Sequence, residues 1–135
     1  VAADLPRVDF THWLLANIPA SMHSIEGGAR SDGIQAHGKD DSGLFNTRQG
    51  LNDYTGWFAG DADMAGQYHG YDGPCPPWND QRMHHYVFTV YALDVERLEL
   101  PAHFGADALL SALAPHVLAK ASLTGRYTLN PAVSY

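Results

Sequence analysis

The sequence predicts a mostly β domain carrying a few short helices. Residues 84–93, His-His-Tyr-Val-Phe-Thr-Val-Tyr-Ala-Leu, concentrate the β-branched and aromatic side chains that favour strands and end in charge. Residues 10–19, Phe-Thr-His-Trp-Leu-Leu-Ala-Asn-Ile-Pro, form a second aromatic and aliphatic run, closed by proline. Helical signals are confined to short segments beyond residue 106.

In chain order, residues 10–19 read as a strand of a well-covered sheet, its apolar character interrupted by His12. Residues 21–70 hold ten of the 13 glycines with many Asp, Ser and Asn, so they read as loop and turn. Irregular stretches of this length are usually functional or incompletely ordered. Within it, Gly56-Trp57-Phe58 and Tyr68-His69-Gly70-Tyr71 are expected to fasten the loops to the body, and Trp13, Trp57 and Trp78 to pack. Residues 73–77, Gly-Pro-Cys-Pro-Pro, form a rigid extended or turning segment, because proline fixes φ and removes N–H donors. In the strand 84–93, alternation places His84, Tyr86, Phe88 and Val90 on one side and His85, Val87, Thr89 and Tyr91 on the other. A short helix is expected from Asp107, an acid suited to a first turn. Residues 115–122 read as a second helix started by Pro115 with Val117 and Leu118 inward, Gly125 as its stop, and 126–129 as a closing strand.

With 135 residues this is one expected domain, spanning 1–135. Eight Lys+Arg against 15 Asp+Glu give a net charge of −7, which opposes a phosphate-neutralising nucleic-acid face. The single Cys75 excludes an internal disulfide. No apolar run approaches a membrane span and no signal-peptide pattern opens the chain. The expected compartment is the cytoplasm, with the periplasm open because Val1 is not an initiator methionine.

The chemistry-bearing combination is His12 in one strand, the 73–77 segment, and His84 with Tyr86 in another strand. Any one of these histidines alone reads more readily as a hydrogen-bonded structural residue. Brought into one cavity, two imidazoles, a phenol and backbone N–H groups offer donors without fixed negative charge. Such a pocket suits a small anion, phosphate or carboxylate, and strengthens on protonation near neutral pH. Two other readings compete. Cys75 and His84 form a thiol and imidazole pair for a hydrolase-type enzyme, against the plainer view that Cys75 is a small residue between prolines. His12, His84 and Asp72 form a His-lined metal site, although no His-x-x-x-His or Cys-x-x-Cys spacing occurs. Asp40-Asp41 and Asp61 with Asp63 read as solvated loop acids, and Arg48 as an anchor of the long loop through a carboxylate.

Several motifs in order resemble the phosphatidylethanolamine-binding protein family, in particular its bacterial Raf kinase inhibitor-like branch. They are the 10–19 run, Arg48-Gln49-Gly50-Leu51-Asn52-Asp53-Tyr54, Gly-Tyr-Asp-Gly-Pro-Cys-Pro-Pro at 70–77, the 84–93 run and the stretch 119–127. The resemblance implies an antiparallel β-sandwich with short peripheral helices and an anion pocket at one end of the sheet. It implies a non-enzymatic binding protein, a kinase inhibitor-like regulator, for phosphate or phospholipid-headgroup-like ligands, with no cofactor and no metal. His12 matches the first pocket histidine and Phe10 an aromatic at the rim. His84 and Tyr86 match the family's His-Arg-Tyr motif, with His85 in place of the arginine. Gly73, Cys75 and Pro77 fall in the loop that supplies backbone N–H and wall contacts. Of the eight histidines, His12 and His84 are the two expected to matter for binding.

The departures from the family pattern concern the N-terminus. The family's Asp-Pro-Asp motif, whose first Asp lines the pocket, has only a weak counterpart in Ala2-Ala3-Asp4-Leu5-Pro6 and is not mapped there. The strands that precede it in the family are expected to be missing or cleaved. A sandwich without them exposes edges, so a homodimer or association with the missing segment is expected.

Overall fold

A computed structural model of the chain describes residues 1–29, 33, 35–40 and 46–135, so Asp41 lies outside the described residues. The chain divides into two compact units. One contains residues 1–9, Gly73–Ala92 and Leu118–Tyr135, and the other Phe10–Asp72 and Leu93–Val117.

In the second unit, β1 (Leu15–Ala16) pairs antiparallel with β2 (Arg48–Gln49), Leu15 opposite Gln49. The predicted strand over 10–19 is therefore mostly extended chain outside a ladder. Asn17 adopts φ +61°, which ends the strand, and the groups before β1 find local partners instead. The Thr11 N–H donates to the Asp53 carboxylate at 2.7 Å, the Asp53 N–H to the Thr11 carbonyl at 2.8 Å, and the Gly50 N–H to the Leu14 carbonyl at 3.0 Å.

The glycine-rich region 21–70 is largely loop and turn in its described part. It carries β2, the one-turn helix α1 (Tyr54–Trp57) and an isolated bridge between Lys39 and His69. Its aromatic islands divide. Tyr68 is buried, its ring 5.2 Å from Phe58 and its hydroxyl donating to the Met64 carbonyl, whereas Trp57 is 73% exposed. Of the tryptophans expected to pack, Trp13 does so, while Trp57 and Trp78 face solvent.

Arg48 anchors the region through backbone carbonyls rather than a carboxylate. Its guanidinium donates to Leu100 O at 3.0 Å and Pro101 O at 2.9 Å and lies over the Phe104 ring. Phe104 is the most buried large apolar residue, and Gly50 fits beneath it only because it lacks a Cβ. The helix α2 (Ala106–Leu113) forms where the sequence predicts, with Asp107 in its first turn and Leu109 and Leu113 buried.

β3 (His84–Leu93) pairs with β4 (Val117–Tyr127), the two longest elements in the chain. The Asp94 N–H meets the His116 carbonyl and Thr89 Oγ1 meets Ser122 Oγ, so partners advance in opposite directions and the pair is antiparallel. The second helix expected over 115–122 is not formed. A single 3₁₀ turn (Ala114–His116) leads directly into β4, which runs through Gly125, and Leu118 is 70% exposed rather than inward. The ladder formed with β3 outweighs a weak local helical preference. The fold is mostly β with short helices, as the sequence predicts.

Candidate functional site

The predicted site residues fall into two groups, one in each compact unit. Phe10 and His12 belong to one unit. Gly73, Cys75, Pro77, His84 and Tyr86 belong to the other.

His12 sits in an aromatic nest. Its ring centroid lies 4.8 Å from Phe10, 6.1 Å from Tyr54 and 6.5 Å from Tyr71. The Nδ1–H donates to the Phe10 carbonyl at 2.9 Å, which fixes the ring between Phe10 and its neighbours. The nest is held from below by the 48–54 motif. Trp13 stacks on Tyr71 and donates its indole N–H to the buried Gln49 side chain at 2.8 Å. Asn52, also buried, donates its side-chain amide to the Gly70 carbonyl at 3.0 Å and its backbone N–H to the Tyr68 carbonyl at 2.9 Å, which seats the loop carrying Tyr71. Burial pushes the Tyr71 phenol pKa up, so that ring remains a neutral hydroxyl.

The second group is organised by a residue that sequence reasoning did not single out. Asp80 is 1% exposed, and its carboxylate accepts from both Arg7 guanidinium nitrogens, from His84 Nε2 at 2.7 Å and from the Arg82 backbone N–H at 3.0 Å. Its carbonyl takes the Asn130 amide at 2.9 Å, and its N–H closes a turn onto Pro77 O. The Arg7 hydrogen bond holds the Asp80 carboxyl well below the usual carboxylate range against the opposing cost of burial, helped by His84 and the Arg82 N–H. Asp80 is therefore a fixed anion whose charge is answered by Arg7.

His84 and Tyr86 share one side of β3, their rings stacked at 6.4 Å. With Nε2 committed to Asp80, His84 retains Nδ1 as the nitrogen it can offer to a ligand. The 73–77 segment forms neither helix nor strand. Gly73 adopts φ +90°, a left-handed conformation that glycine alone takes readily, and Pro77 supplies the turn carbonyl for Asp80. Cys75 is a free, exposed thiol, and among the described residues it has no histidine partner. Asp72, the acid considered beside His12 and His84, is ion-paired with Lys39 instead. Among the described residues no group of three or more His, Cys, Asp or Glu is arranged to hold a metal ion. Asp61 is occupied in capping a turn, accepting from the Asp63 and Met64 N–H groups. Among the described residues, no helix is long and apolar enough to cross a membrane.

A weak signal could have revealed Asp80: it stands four residues before His84 in a segment with few other acids. Its partner Arg7, 73 positions away, gives no such signal.

Comparison with known proteins follows the same residues. The family model for the phosphatidylethanolamine-binding protein matches residues 2–128. Similar curated proteins include the UPF0098 protein PH1269 of Pyrococcus horikoshii, 36% identical over 92% of this chain and 52% of its own length. A UPF0098 protein of Methanothermobacter thermautotrophicus is 33% identical over 92% of this chain and 66% of its own. The UPF0098 protein YbhB of Escherichia coli is 29% identical over 87% of this chain and 61% of its own. The chain thus spans about half to two thirds of the length of these relatives. With the family model matched over nearly all its length, the chain belongs to the phosphatidylethanolamine-binding protein family.

Proposed function

We propose that this protein is a non-enzymatic binding protein for a small anion, phosphate or the phosphoryl group of a phospholipid-headgroup-like molecule. His84 and Tyr86 supply side-chain donors on β3, Gly73, Cys75 and Pro77 the wall and backbone donors of the preceding loop, and the family resemblance adds Phe10 and His12 as binding residues. The observation that carries this reading is the buried Asp80 on His84 Nε2. A histidine held in this way donates through Nδ1 when it is protonated, and its positive charge is shared between the buried carboxylate and the bound anion. Arg7 balances Asp80, so the carboxylate orients the imidazole without repelling a second anion.

The exposure of Cys75 weighs against an enzyme built on Cys75 and His84. Activation of a thiol requires a base within hydrogen-bond reach, and the exposed Cys75 has no histidine partner among the described residues. A binding protein of this kind acts by occupancy, and the family resemblance suggests inhibition of a kinase as the form that action takes.

Calorimetric titration with inorganic phosphate and with O-phosphoethanolamine tests the proposal. One site is expected, with affinity at least tenfold lower in His84→Ala and in Tyr86→Phe variants that retain the wild-type circular dichroism. Unchanged heats in both variants overturn it.

A further inference from the structure

Outside the residues of the proposed anion site, the Phe10–Asp72 and Leu93–Val117 unit contains a cavity of about 360 Å³ lined by three histidines, His37, His69 and His103, with Asp40 and Lys39. It is built by a close crossing of two backbone segments. A Cβ on Gly38 would fall 2.0 Å from the Gln67 carbonyl oxygen, and one on Gly66 2.2 Å from that of His37, so both positions admit only glycine. The bridge between Lys39 and His69 continues the crossing.

His69 is 2% exposed. Its Nδ1–H donates to the Lys39 carbonyl at 3.1 Å, and Nε2, the other ring nitrogen, is buried without a hydrogen-bond partner among the described residues. An unpartnered buried acceptor is costly to keep unless something fills it. An imidazole whose Nδ1–H is tied to a backbone carbonyl is also the usual setting of a metal-ligating histidine, because the bond fixes both tautomer and ring direction.

We propose that His69 and His103 form a site for one borderline divalent metal ion of the Zn²⁺ class. Their ring centroids are 5.5 Å apart. With metal to nitrogen distances of about 2.0 to 2.1 Å, each ring centroid lies roughly 3.2 Å from the ion, and two rings at a tetrahedral angle are then about 5.2 Å apart. The observed separation is close to that value. Imidazole ligands select Zn²⁺, Cu²⁺ or Ni²⁺ over Mg²⁺ or Ca²⁺. The Lys39 ammonium on the cavity wall is compensated by Asp72. Because no three such side chains are grouped around one point among the described residues, water completes the coordination.

Metal-free protein titrated with Zn²⁺ by calorimetry, and with Co²⁺ followed by its visible absorption, provides the test. One equivalent is expected to bind. His103→Asn, which tolerates the φ of +53° at that position, and His69→Asn, which keeps a donor for the Lys39 carbonyl, should each lower the affinity tenfold or more. His23→Asn, at an exposed histidine elsewhere in the loops, should bind as the wild type does. No saturable equivalent, binding retained in both cavity variants, or binding lost in His23→Asn overturns the proposal.

Discussion

Gly50→Ala isolates the packing that supports the His12 nest. The added Cβ would lie 2.6 Å from Phe104 Cε2, 2.8 Å from its Cδ2 and 2.7 Å from its carbonyl oxygen. Ordinary carbon contacts are about 3.5 to 4.0 Å, so a ring that is 1% exposed must retreat by nearly 1 Å with nowhere to go. Overpacking of this kind costs about 1 to 3 kcal/mol. The carbonyl in contact also accepts the Leu51 N–H at 2.7 Å, and weakening that bond adds about 1 kcal/mol. The loss of unfolded-chain freedom on replacing glycine returns roughly 0.4 to 1 kcal/mol. The net is a destabilisation of about 2 to 3 kcal/mol, which at ~2.1 cal/mol/K per residue lowers the melting temperature of a domain this size by about 7 to 10 °C. Gly56→Ala is the internal comparison, because a Cβ there meets nothing within 4 Å and lies in α1, where alanine is the better helix former. Calorimetric melts of both variants at neutral pH are the assay. A Gly50→Ala protein melting within 2 °C of the wild type, or a Gly56→Ala protein melting as low, would refute the reasoning.

Asp80 makes stability depend on acid pH. Its folded pKa is depressed, so its contribution is fully present above the ordinary carboxyl value of ~3.9 and is lost as pH falls through the folded value. Melting temperatures between pH 6 and pH 2 should fall below about pH 4 in the wild type and vary less in Asp80→Asn. The same variant should bind phosphate about tenfold more weakly at neutral pH, a loss of ~1.4 kcal/mol, because His84 loses its orienting partner. Cys75 is exposed and should be alkylated by iodoacetamide without unfolding, more slowly when O-phosphoethanolamine saturates the pocket; an unchanged rate removes the 73–77 segment from the site. The exposed apolar side chains of β3 and β4, including Val87, Phe88, Val90, Leu118 and Leu123, should draw chains together, so sedimentation should show a concentration-dependent dimer. A monomer at all concentrations counts against that.

What could be read from the sequence was what local chemistry decides. In 84–93 nearly every residue favours a strand, and in 106–113 apolar spacing and the first-turn acid agree, so β3 and α2 formed where expected. The segment 117–127 is ambiguous on its own, with alanine and leucine beside serine, threonine and glycine, and it is the β3 partner that resolves it as β4. For residues 10–19 the composition was suitable, but the ladder was limited by Asn17 and by an aspartate 42 positions away from Thr11. Neither effect has a periodicity to detect.

The site divides along the same line. Alternation along a strand is local, so His84 and Tyr86 were legible as neighbours. The acid beside them was not, because the family motif points to an acid upstream of His12, where this chain has only a weak counterpart. The buried acid found in the structure lies instead four residues before His84 and is bound from the far side by Arg7. The two placements have different consequences. A carboxylate lining an anion pocket repels its ligand and must be tuned against it, whereas a carboxylate behind a histidine, neutralised by an arginine, strengthens the donor that faces the ligand. That difference makes Asp80→Asn informative: an acid lining the pocket, once neutralised, should improve phosphate binding, and an acid behind His84 should weaken it.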